Sequence, residues 1–408
     1  MRKNLALLFL IQISNYVFPL ISMPYLIRVL GVTNFGIIAI FIAIVQYVNI
    51  ITDFGFTFTS TRKITKNKDN KDEVAFIFSS TIYAKIILLL ICVFILGTYI
   101  FINEKQEYYM YFILGVFYCF FSIFESIWLF QGVDRLNVSA NITLISKTIA
   151  FLLIFFLVNT SNDTLNAILC TLLGAIFSGV VSLISIYKLK ISFFRRVDFI
   201  DVWIGIKDSF DIFIANVTIS FYTTLNTIVL GAVYGPTIVG YFSAADKIRL
   251  AAQGLLSPIQ QLLFPKVTSL LNQGDSFSFI LKKYGFKVIG FGLFISAMLL
   301  VMGYPFSLVY FGENFDLTGK ILLVLGPIPF IVSIGVVFGQ WSLIGTGKDK
   351  VLRNVYIFFS FIHLLLLFPY IFFFNNYGVA ISILTTEFLI SCTFIYIYLN
   401  SIKLEKKL

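Results

Sequence analysis

Long apolar stretches recur from one end of this 408-residue chain to the other, with only short polar segments between them. A membrane-spanning helix needs about 20 mainly apolar residues, and these stretches reach that length. Because 59% of the residues are hydrophobic and only 12% are charged, the chain has too little polar surface to enclose its apolar content as a soluble globule. The sequence therefore predicts an all-α polytopic membrane protein.

The apolar pattern predicts about twelve transmembrane helices. The first, which starts at Leu5, is too long for the core of a signal peptide, so we expect it to be retained. The predicted helices cover residues 5–27, 36–60, 75–101, 108–130, 139–159, 164–187, 208–231, 237–263, 284–303, 319–341, 351–374 and 377–400.

Basic residues fall mainly on one side of the predicted membrane. Of the 30 lysines and arginines, only Arg28, Lys105 and Lys320 lie in loops that face outward when the N-terminus is placed in the cytoplasm. This loop-by-loop bias is the pattern that the positive-inside rule describes. It predicts that both termini are cytoplasmic, and it accounts for the net charge of +10 without nucleic-acid binding.

A basic, amphipathic segment separates the helices into two groups of six. Its apolar residues, such as Phe193 and Ile200, recur near helical spacing opposite Arg195 and Asp198, as is typical of a helix at a membrane surface. The predicted parts are an N-terminal lobe over 1–190, a cytoplasmic interfacial linker over 191–207 and a C-terminal lobe over 208–408.

The two groups also share sequence features. Leu30-Gly31 recurs as Leu230-Gly231, and Trp128, Gly132, Asp134 and Arg135 recur as Trp341, Gly345, Asp349 and Lys350. Both pairs lie six helices apart, an even number that preserves orientation, so they indicate a parallel repeat of two lobes. Chance similarity among glycine-rich turns is the alternative.

Placing a charged side chain at the centre of a membrane costs about 2.5–3.5 kcal/mol of insertion free energy. Each such residue is therefore expected either to pair with an opposite charge or to have a role in function. In the first lobe, Asp53, Lys85, Glu125 and Lys147 all fall in the cytoplasmic halves of their helices. Two acids can therefore neutralise two bases and hold the helices together. The functional alternative is a vestibule whose lysines attract an anionic head group.

In the second lobe, Asp246 and Arg249 are three residues apart on one helix and can form a local ion pair. Glu387 lies near the middle of the last helix, where it is either a proton or cation site or an interhelical hydrogen-bond partner. His363, the only histidine, falls in an apolar run and is interpreted as a packed residue rather than a switch.

Several kinds of chemistry have no support in the sequence. Gly345-Thr346-Gly347-Lys348 lacks the spacing of a phosphate-binding P-loop, and one buried histidine cannot organise a hydrolytic triad. The four cysteines lie in apolar stretches without metal-ligand spacing, which predicts buried thiols: Cys92, Cys119, Cys170 and Cys392. We therefore expect no enzyme activity, no cofactor and no metal.

Ordered motifs at the helix ends resemble those of a known transporter family. They include Asn15-Tyr16, Pro24-Tyr25-Leu26, Asp53-Phe54-Gly55-Phe56, Trp128-Leu129-Phe130-Gln131-Gly132 and Gln253-Gly254-Leu255-Leu256. In this order the motifs resemble bacterial O-antigen flippases of the Wzx type, within the polysaccharide-transporter branch of the multidrug/oligosaccharidyl-lipid/polysaccharide (MOP) exporter superfamily. The likeness extends over nearly the whole chain.

The resemblance implies two six-helix lobes arranged as a MATE-like inverted V in the bacterial inner membrane. It implies a substrate made of an oligosaccharide repeat unit on undecaprenyl diphosphate, carried from the cytoplasmic to the periplasmic leaflet by alternating access. Membrane lipids, a polymerase and a chain-length regulator are the partners it suggests. The candidate contacts for the anionic head group are Arg62, Lys85, Lys147 and Arg249, and the candidate ion-coupling acids are Asp53 and Glu387.

Two other functions remain open at the level of sequence. An ion-coupled exporter of small organic cations requires cavity acids that no base matches, a condition that only Glu387 and Asp211 meet. A non-catalytic component of a polysaccharide assembly machinery requires neither intramembrane charges nor a repeat. A membrane-embedded polymerase is disfavoured by the short outer loops.

Overall fold

The computed structural model describes residues 2–104, 106–191, 195–345 and 347–405. Lys105, Phe193 and Thr346 therefore lie outside the described residues. Within these ranges the regular secondary structure is helical throughout, without strands. The chain forms two compact units, Met1–Val217 and Thr218–Leu408, which divide within one helix. The finer division into lobes and linker at residues 190 and 207 stays a prediction.

In its described residues, the first unit holds seven α-helices and most of an eighth. These are α1 (Arg2–Asp53), α2 (Phe56–Lys66), α3 (Lys71–Ile102), α4 (Tyr109–Ile123), α5 (Ile127–Gly132), α6 (Leu136–Leu157), α7 (Thr164–Lys188) and α8 (Phe199–Phe221). Helices α6 and α7 pack on each other, as do α4 and α7, while the short α2 packs on α5.

The second unit continues from α8 through a short turn. Its helices are α9 (Leu225–Gly254), α10 (Leu256–Asn272), α11 (Phe277–Ile280), α12 (Phe286–Phe311), α13 (Asp316–Leu325), α14 (Ile328–Gly335), α15 (Asp349–Phe374) and α16 (Gly378–Glu405). Two π-helical segments, Leu281–Gly285 and Val336–Ile344, join α11 to α12 and extend α14.

Nine helical stretches within the described residues are long and apolar enough to cross a membrane. Three of them hold more than one span. Gly31 (φ 79°) divides Tyr16–Asp53, and Gly235 (φ 78°) divides Leu225–Gln260, whose first part extends α8. The third, Lys350–Asn400, contains α15 and α16. These divisions account for the predicted number of about twelve spans and confirm the all-α polytopic fold.

Five predicted helices are interrupted where the sequence pattern indicated none: those over 36–60, 108–130, 208–231, 237–263 and 319–341. The helix predicted over 36–60 ends at Asp53, because Phe54 (φ 47°) and Gly55 (φ 83°) are both left-handed. A Cβ on Gly55 would lie 2.8 Å from the side chain of Ile212, so glycine also permits the close approach of α8. The helix predicted over 108–130 is likewise interrupted, at residues 124–126. Apolar periodicity runs unchanged through such short breaks, which is why the prediction missed them.

Matching glycine conformations occur in the backbones of the two units, in a different register from the one predicted, and the parallel orientation of the repeat stays a prediction. Gly235, rather than Gly231, has the left-handed conformation of Gly31. Each of these glycines precedes a second glycine by five residues, Gly36 and Gly240. The backbone therefore corrects the first sequence match by four residues.

The second match is also corrected. Trp128 and Trp341 are both 1% exposed. After each tryptophan the helix ends in a backbone hydrogen bond of 2.7 Å. In the first unit the N–H of Arg135 donates to the carbonyl of Phe130, and in the second the N–H of Lys348 donates to that of Leu343. The left-handed residues beside these donors are Asp134 (φ 58°) and Gly347 (φ 72°). Asp134 thus corresponds to Gly347 rather than to Asp349.

The cysteine prediction holds for three residues and is wrong for the fourth. Cys92, Cys119 and Cys170 are buried, whereas Cys392 is exposed on α16. An apolar sequence around a cysteine does not separate the face of a membrane helix that packs on protein from the face that contacts lipid.

Candidate functional site

The first polar cluster forms around Lys85, which lies on α3 and is 6% exposed. Its Nζ lies 2.9 Å from Oδ1 of Asp53, the last residue of α1. The hydroxyl of Thr57 donates to the same carboxylate oxygen at 2.8 Å. The left-handed break after Asp53 starts α2 at Phe56, which places Thr57 one turn beyond the carboxylate it binds. An ion pair between residues 32 positions apart therefore joins α1 to α3.

An aromatic ring covers the other side of the same ammonium group. The ring centroid of Trp128 on α5 lies 5.7 Å from Nζ of Lys85, within range of a cation–π interaction. Phe78 stacks against Trp128 with 6.0 Å between ring centroids. The Lys85 ammonium is thus held between a carboxylate and a π face, two groups that stabilise its charge.

Glu125 and Lys147 form a looser arrangement in the same unit. Glu125 lies in the break between α4 and α5 and accepts a hydrogen bond of 3.4 Å from Thr143 on α6. Lys147, one turn further along α6, is half-buried and within electrostatic range of Glu125. No described ion pair within 4.0 Å joins these two residues. Of the two acid–base pairs predicted for this lobe, one is tight and the other acts over a longer distance.

Arg62 lies apart from these contacts. It is on α2 with an exposed side chain, and it forms no ion pair within the part of the chain that the structure describes. The structure therefore brings Asp53 and Lys85 together and leaves the Arg62 guanidinium open to its surroundings.

In the second unit, the predicted pair of Asp246 and Arg249 is present on α9. Nε of Arg249 donates to Oδ1 of Asp246 at 2.8 Å, and Nη2 lies 2.6 Å from the same oxygen. Nη1 donates to Oε1 of Gln253 at 2.6 Å. Arg249 is only 8% exposed, so a side chain on either side along one helix fixes its guanidinium.

Glu387 lies on α16, half-buried, within electrostatic range of Arg249. The phenols of Tyr222 and Tyr356 also lie within range of its charge. No ion pair within 4.0 Å is formed by Glu387 among the described residues.

His363 is a packed residue, as predicted, and it organises a polar network that the sequence did not reveal. Its Nδ1 lies 2.8 Å from the hydroxyl of Thr386 and 3.2 Å from that of Ser382, while Nε2 lies 2.9 Å from Oδ1 of Asn226. All four residues are fully buried. The network ties the start of α9 to α15 and α16, beside Glu387.

Sequence reasoning missed the partners more often than the charges. Thr57 and Gln253 lie four residues after Asp53 and Arg249, a helical spacing that could have suggested their contacts. The roles of Trp128 and Asn226 depend on helices distant in sequence and left no such signal.

Comparison with known proteins identifies the family of this chain. A family model described as "Polysaccharide biosynthesis protein" matches residues 1–271. A Shigella dysenteriae protein named "Putative O-antigen transporter" is 34% identical over 391 residues, which cover 96% of this chain and 98% of that protein. The chain belongs to the polysaccharide biosynthesis protein family. An Escherichia coli (strain K12) protein with the same name is 30% identical and covers 96% of this chain and 95% of its own length.

Solved structures support the fold of this polysaccharide biosynthesis family member. An inward-facing multidrug resistance MATE family transporter of the MOP superfamily matches 97% of the chain and 96% of its own, with TM-score 0.71 and 12% identity. The lipid II flippase MurJ, in an inward closed conformation, matches 97% of the chain and 87% of its own, with TM-score 0.75 and 16% identity. These two structures support the fold alone, whereas the family model and the two relatives confirm the predicted family resemblance.

Proposed function

We propose that this protein flips undecaprenyl-diphosphate-linked oligosaccharide repeat units from the cytoplasmic to the periplasmic leaflet of a bacterial inner membrane by alternating access. One observation carries the proposal: a family member related over 96% of its length to a protein named as an O-antigen transporter holds a buried lysine, Lys85, within a membrane-spanning helix. A diphosphate head group needs such a cation, whereas its polyprenyl tail can stay in lipid.

Lys85 and Arg249 are suited to bind the head group by exchange. Each cation already has a carboxylate partner, Asp53 or Asp246, so its charge is compensated before the substrate arrives. An incoming phosphate replaces the carboxylate as the acceptor, and the cation never becomes an uncompensated buried charge. The exposed Arg62 and the half-buried Lys147 add positive charge that attracts the head group.

The acids Asp53 and Glu387 are the proposed coupling sites. Once released from Lys85, Asp53 becomes an isolated carboxylate at the membrane. Because an unpaired charge is unfavourable there, the carboxylate then takes up a proton or a cation more readily. Glu387 has no tight ion pair within the described residues and can respond in the same way. The reaction moves the substrate without breaking a covalent bond, so no cofactor is required.

The proposed partners follow from the route of the substrate. Lipid-linked units delivered to the periplasmic leaflet are substrates for a polymerase, whose products a chain-length regulator would control. Both termini are proposed to lie in the cytoplasm, on the side of the basic loops.

The test is the sidedness of lipid-linked repeat units in a deletion strain, measured by their availability to periplasmic enzymes. We expect the units to accumulate on the cytoplasmic side and surface polymer to be lost. The intact gene and a Lys71→Ala variant should restore delivery, and Lys85→Ala should not. Lys71 is the matched control because it is an exposed lysine in the first turn of the same helix. Normal surface polymer in the deletion strain would refute the proposal, and altered susceptibility to cationic drugs would then indicate cation export.

A further inference from the structure

A cleft with both apolar and polar walls lies in the first unit, between α2, the start of α3 and the start of α8. The cleft has a volume of about 250 Å³, and neither Asp53 nor Lys85 lines it. The polar side chains that line it include Thr59, Ser60, Lys63, Glu73, Ser80 and Asp201. The cleft is therefore separate from the proposed head-group contacts.

Most of the donors in this cleft are already used. The Lys63 ammonium lies 2.8 Å from Oδ2 of Asp208, just outside the cleft lining. The Thr59 hydroxyl is 2.7 Å from that of Ser209, and the Ser60 hydroxyl is 2.8 Å from that of Thr81. The walls hold themselves together through these bonds, and they leave few donors for a ligand.

Two strong acceptors remain available. The carboxylates of Glu73 on α3 and Asp201 on α8 are half-buried, and neither accepts a hydrogen bond from a described side chain. Phe56, Phe76 and Ile204 supply apolar wall beside them. A ligand that fits this cleft donates hydrogen bonds and presents an apolar face.

A sugar ring has both properties, since its hydroxyls donate to carboxylates and its C–H face packs on phenyl rings. A diphosphate does not fit, because two carboxylates repel it and the one ammonium is already neutralised by Asp208. Pockets for drug-sized ligands measure about 300–1,000 Å³, so a cleft of about 250 Å³ suits a smaller group such as one sugar ring.

We propose that this cleft binds a sugar residue of the lipid-linked repeat unit on the side of the membrane that carries the basic loops. The proposal rests on the flippase function and adds a sugar subsite to it. The cleft would select for the carbohydrate, while Lys85 and Arg249 bind the carrier diphosphate. Because α8 forms one wall and continues into the second unit, a sugar that bridges Glu73 and Asp201 also contacts the segment joining the two units.

The test uses the full chain in lipid nanodiscs and a thiol placed in the cleft. Cys392 is first replaced by serine because it is the exposed native thiol, and Ser80→Cys is then introduced. A maleimide reports the labelling rate with and without the free repeat-unit oligosaccharide released from the host's own surface polymer. We expect the sugar to slow labelling at least fivefold. Thr65→Cys, exposed on α2 and outside the cleft lining, should be labelled at the same rate with or without sugar.

A second variant tests the two carboxylates. Adding Glu73→Gln and Asp201→Asn should raise the sugar concentration for half-protection about tenfold or more, because hydrogen bonds to charged groups are replaced by weaker ones. The Lys85→Ala variant should lose binding of undecaprenyl diphosphate yet keep its protection by sugar. Unchanged protection in the carboxylate variant would overturn the proposal, as would equal protection by sugar-free undecaprenyl diphosphate or by tetraphenylphosphonium. The two proposals can fail separately. If sugar protects the cleft but the deletion strain still displays normal surface polymer, the sugar site is supported and the flippase function is refuted.

Discussion

The ring of Phe213 lies nearly parallel to that of Phe54, with 4.0 Å between centroids and 10° between planes. Phe213 is on α8, and Phe54 is the left-handed residue that follows Asp53. The hydroxyls of Ser209 and Thr59 meet one turn further along. Helix α8 therefore packs directly on the break that positions the Asp53 carboxylate, so we expect changes at this contact to affect the Asp53–Lys85 pair.

Gly55→Ala should be strongly destabilising. The alanine must keep a left-handed backbone conformation, and its Cβ would lie 2.8 Å from the side chain of Ile212. We therefore expect the free energy of unfolding to fall by about 2 kcal/mol or more. Gly31→Ala, which is left-handed but has no atom within 4 Å of its Cβ position, should cost about 1–2 kcal/mol. The measurement is thermal unfolding of the purified protein in detergent.

The control for these glycines is Gly290→Ala, at a helical glycine with open space around it. Its unfolding midpoint should change little. Equal midpoints for the Gly55 and Gly290 variants would contradict the close packing of α8 on the break.

The Asp53–Lys85 pair should show strong coupling in a double-mutant cycle. Removing one partner leaves a buried charge uncompensated, so Asp53→Asn or Lys85→Met alone should each cost about 3 kcal/mol of stability. The double variant should regain most of that loss and still fail in transport, because the proposed head-group cation is gone. Unfolding in detergent and surface-polymer display provide the two measurements. Additive losses of stability would show that the two side chains do not interact.

Arg249→Lys should impair transport although it keeps the positive charge. Lysine cannot bind Asp246 and Gln253 at once with the planar geometry of the guanidinium. We expect a loss of surface polymer that approaches that of Arg249→Ala. Arg353→Lys, at an exposed arginine on α15, is the matched control and should be neutral. Full activity of Arg249→Lys would mean that only the charge matters.

The loop between α6 and α7 should loosen at acidic pH. The pKa of Asp163 is lowered because the N–H of Asn159 donates to its carboxylate, as do the hydroxyl and N–H of Thr160 and the amide of Asn166. A lowered pKa means that this contribution is complete above the ordinary value of 3.8 and is lost as the pH falls below it. The protection factors of the Asn159 and Thr160 amides, which are the intrinsic exchange rate divided by the measured rate at each pH, should be high at pH 5 and lower at pH 3.

Asp163→Asn is the companion measurement for this loop. The variant should have low protection factors at both pH values, since the amide cannot supply two anionic acceptor oxygens. Exchange that stayed pH-dependent after correction for intrinsic rates would assign the effect to another group.

The sequence by itself determined that the chain folds in a membrane, about how many times it spans that membrane and which charged residues lie within the spans. Apolar length alone requires a membrane, and the spacing of Asp246 and Arg249 was sufficient to predict their ion pair, because residues three apart share one helical face. The resemblance carried by short motifs indicated the correct family. Each of these features is local or depends on composition.

Only the tertiary structure decided which charges meet and where the helices break. Lys85 could have paired with either Asp53 or Glu125, and the choice depended on a two-residue left-handed break that puts Asp53 beside α3. The packing of Phe213 on Phe54 and the separation of Arg62 from Lys85 are equally invisible in the sequence. Periodicity reports which face of a helix is apolar, whereas the partner of that face is set by packing between segments far apart in the chain.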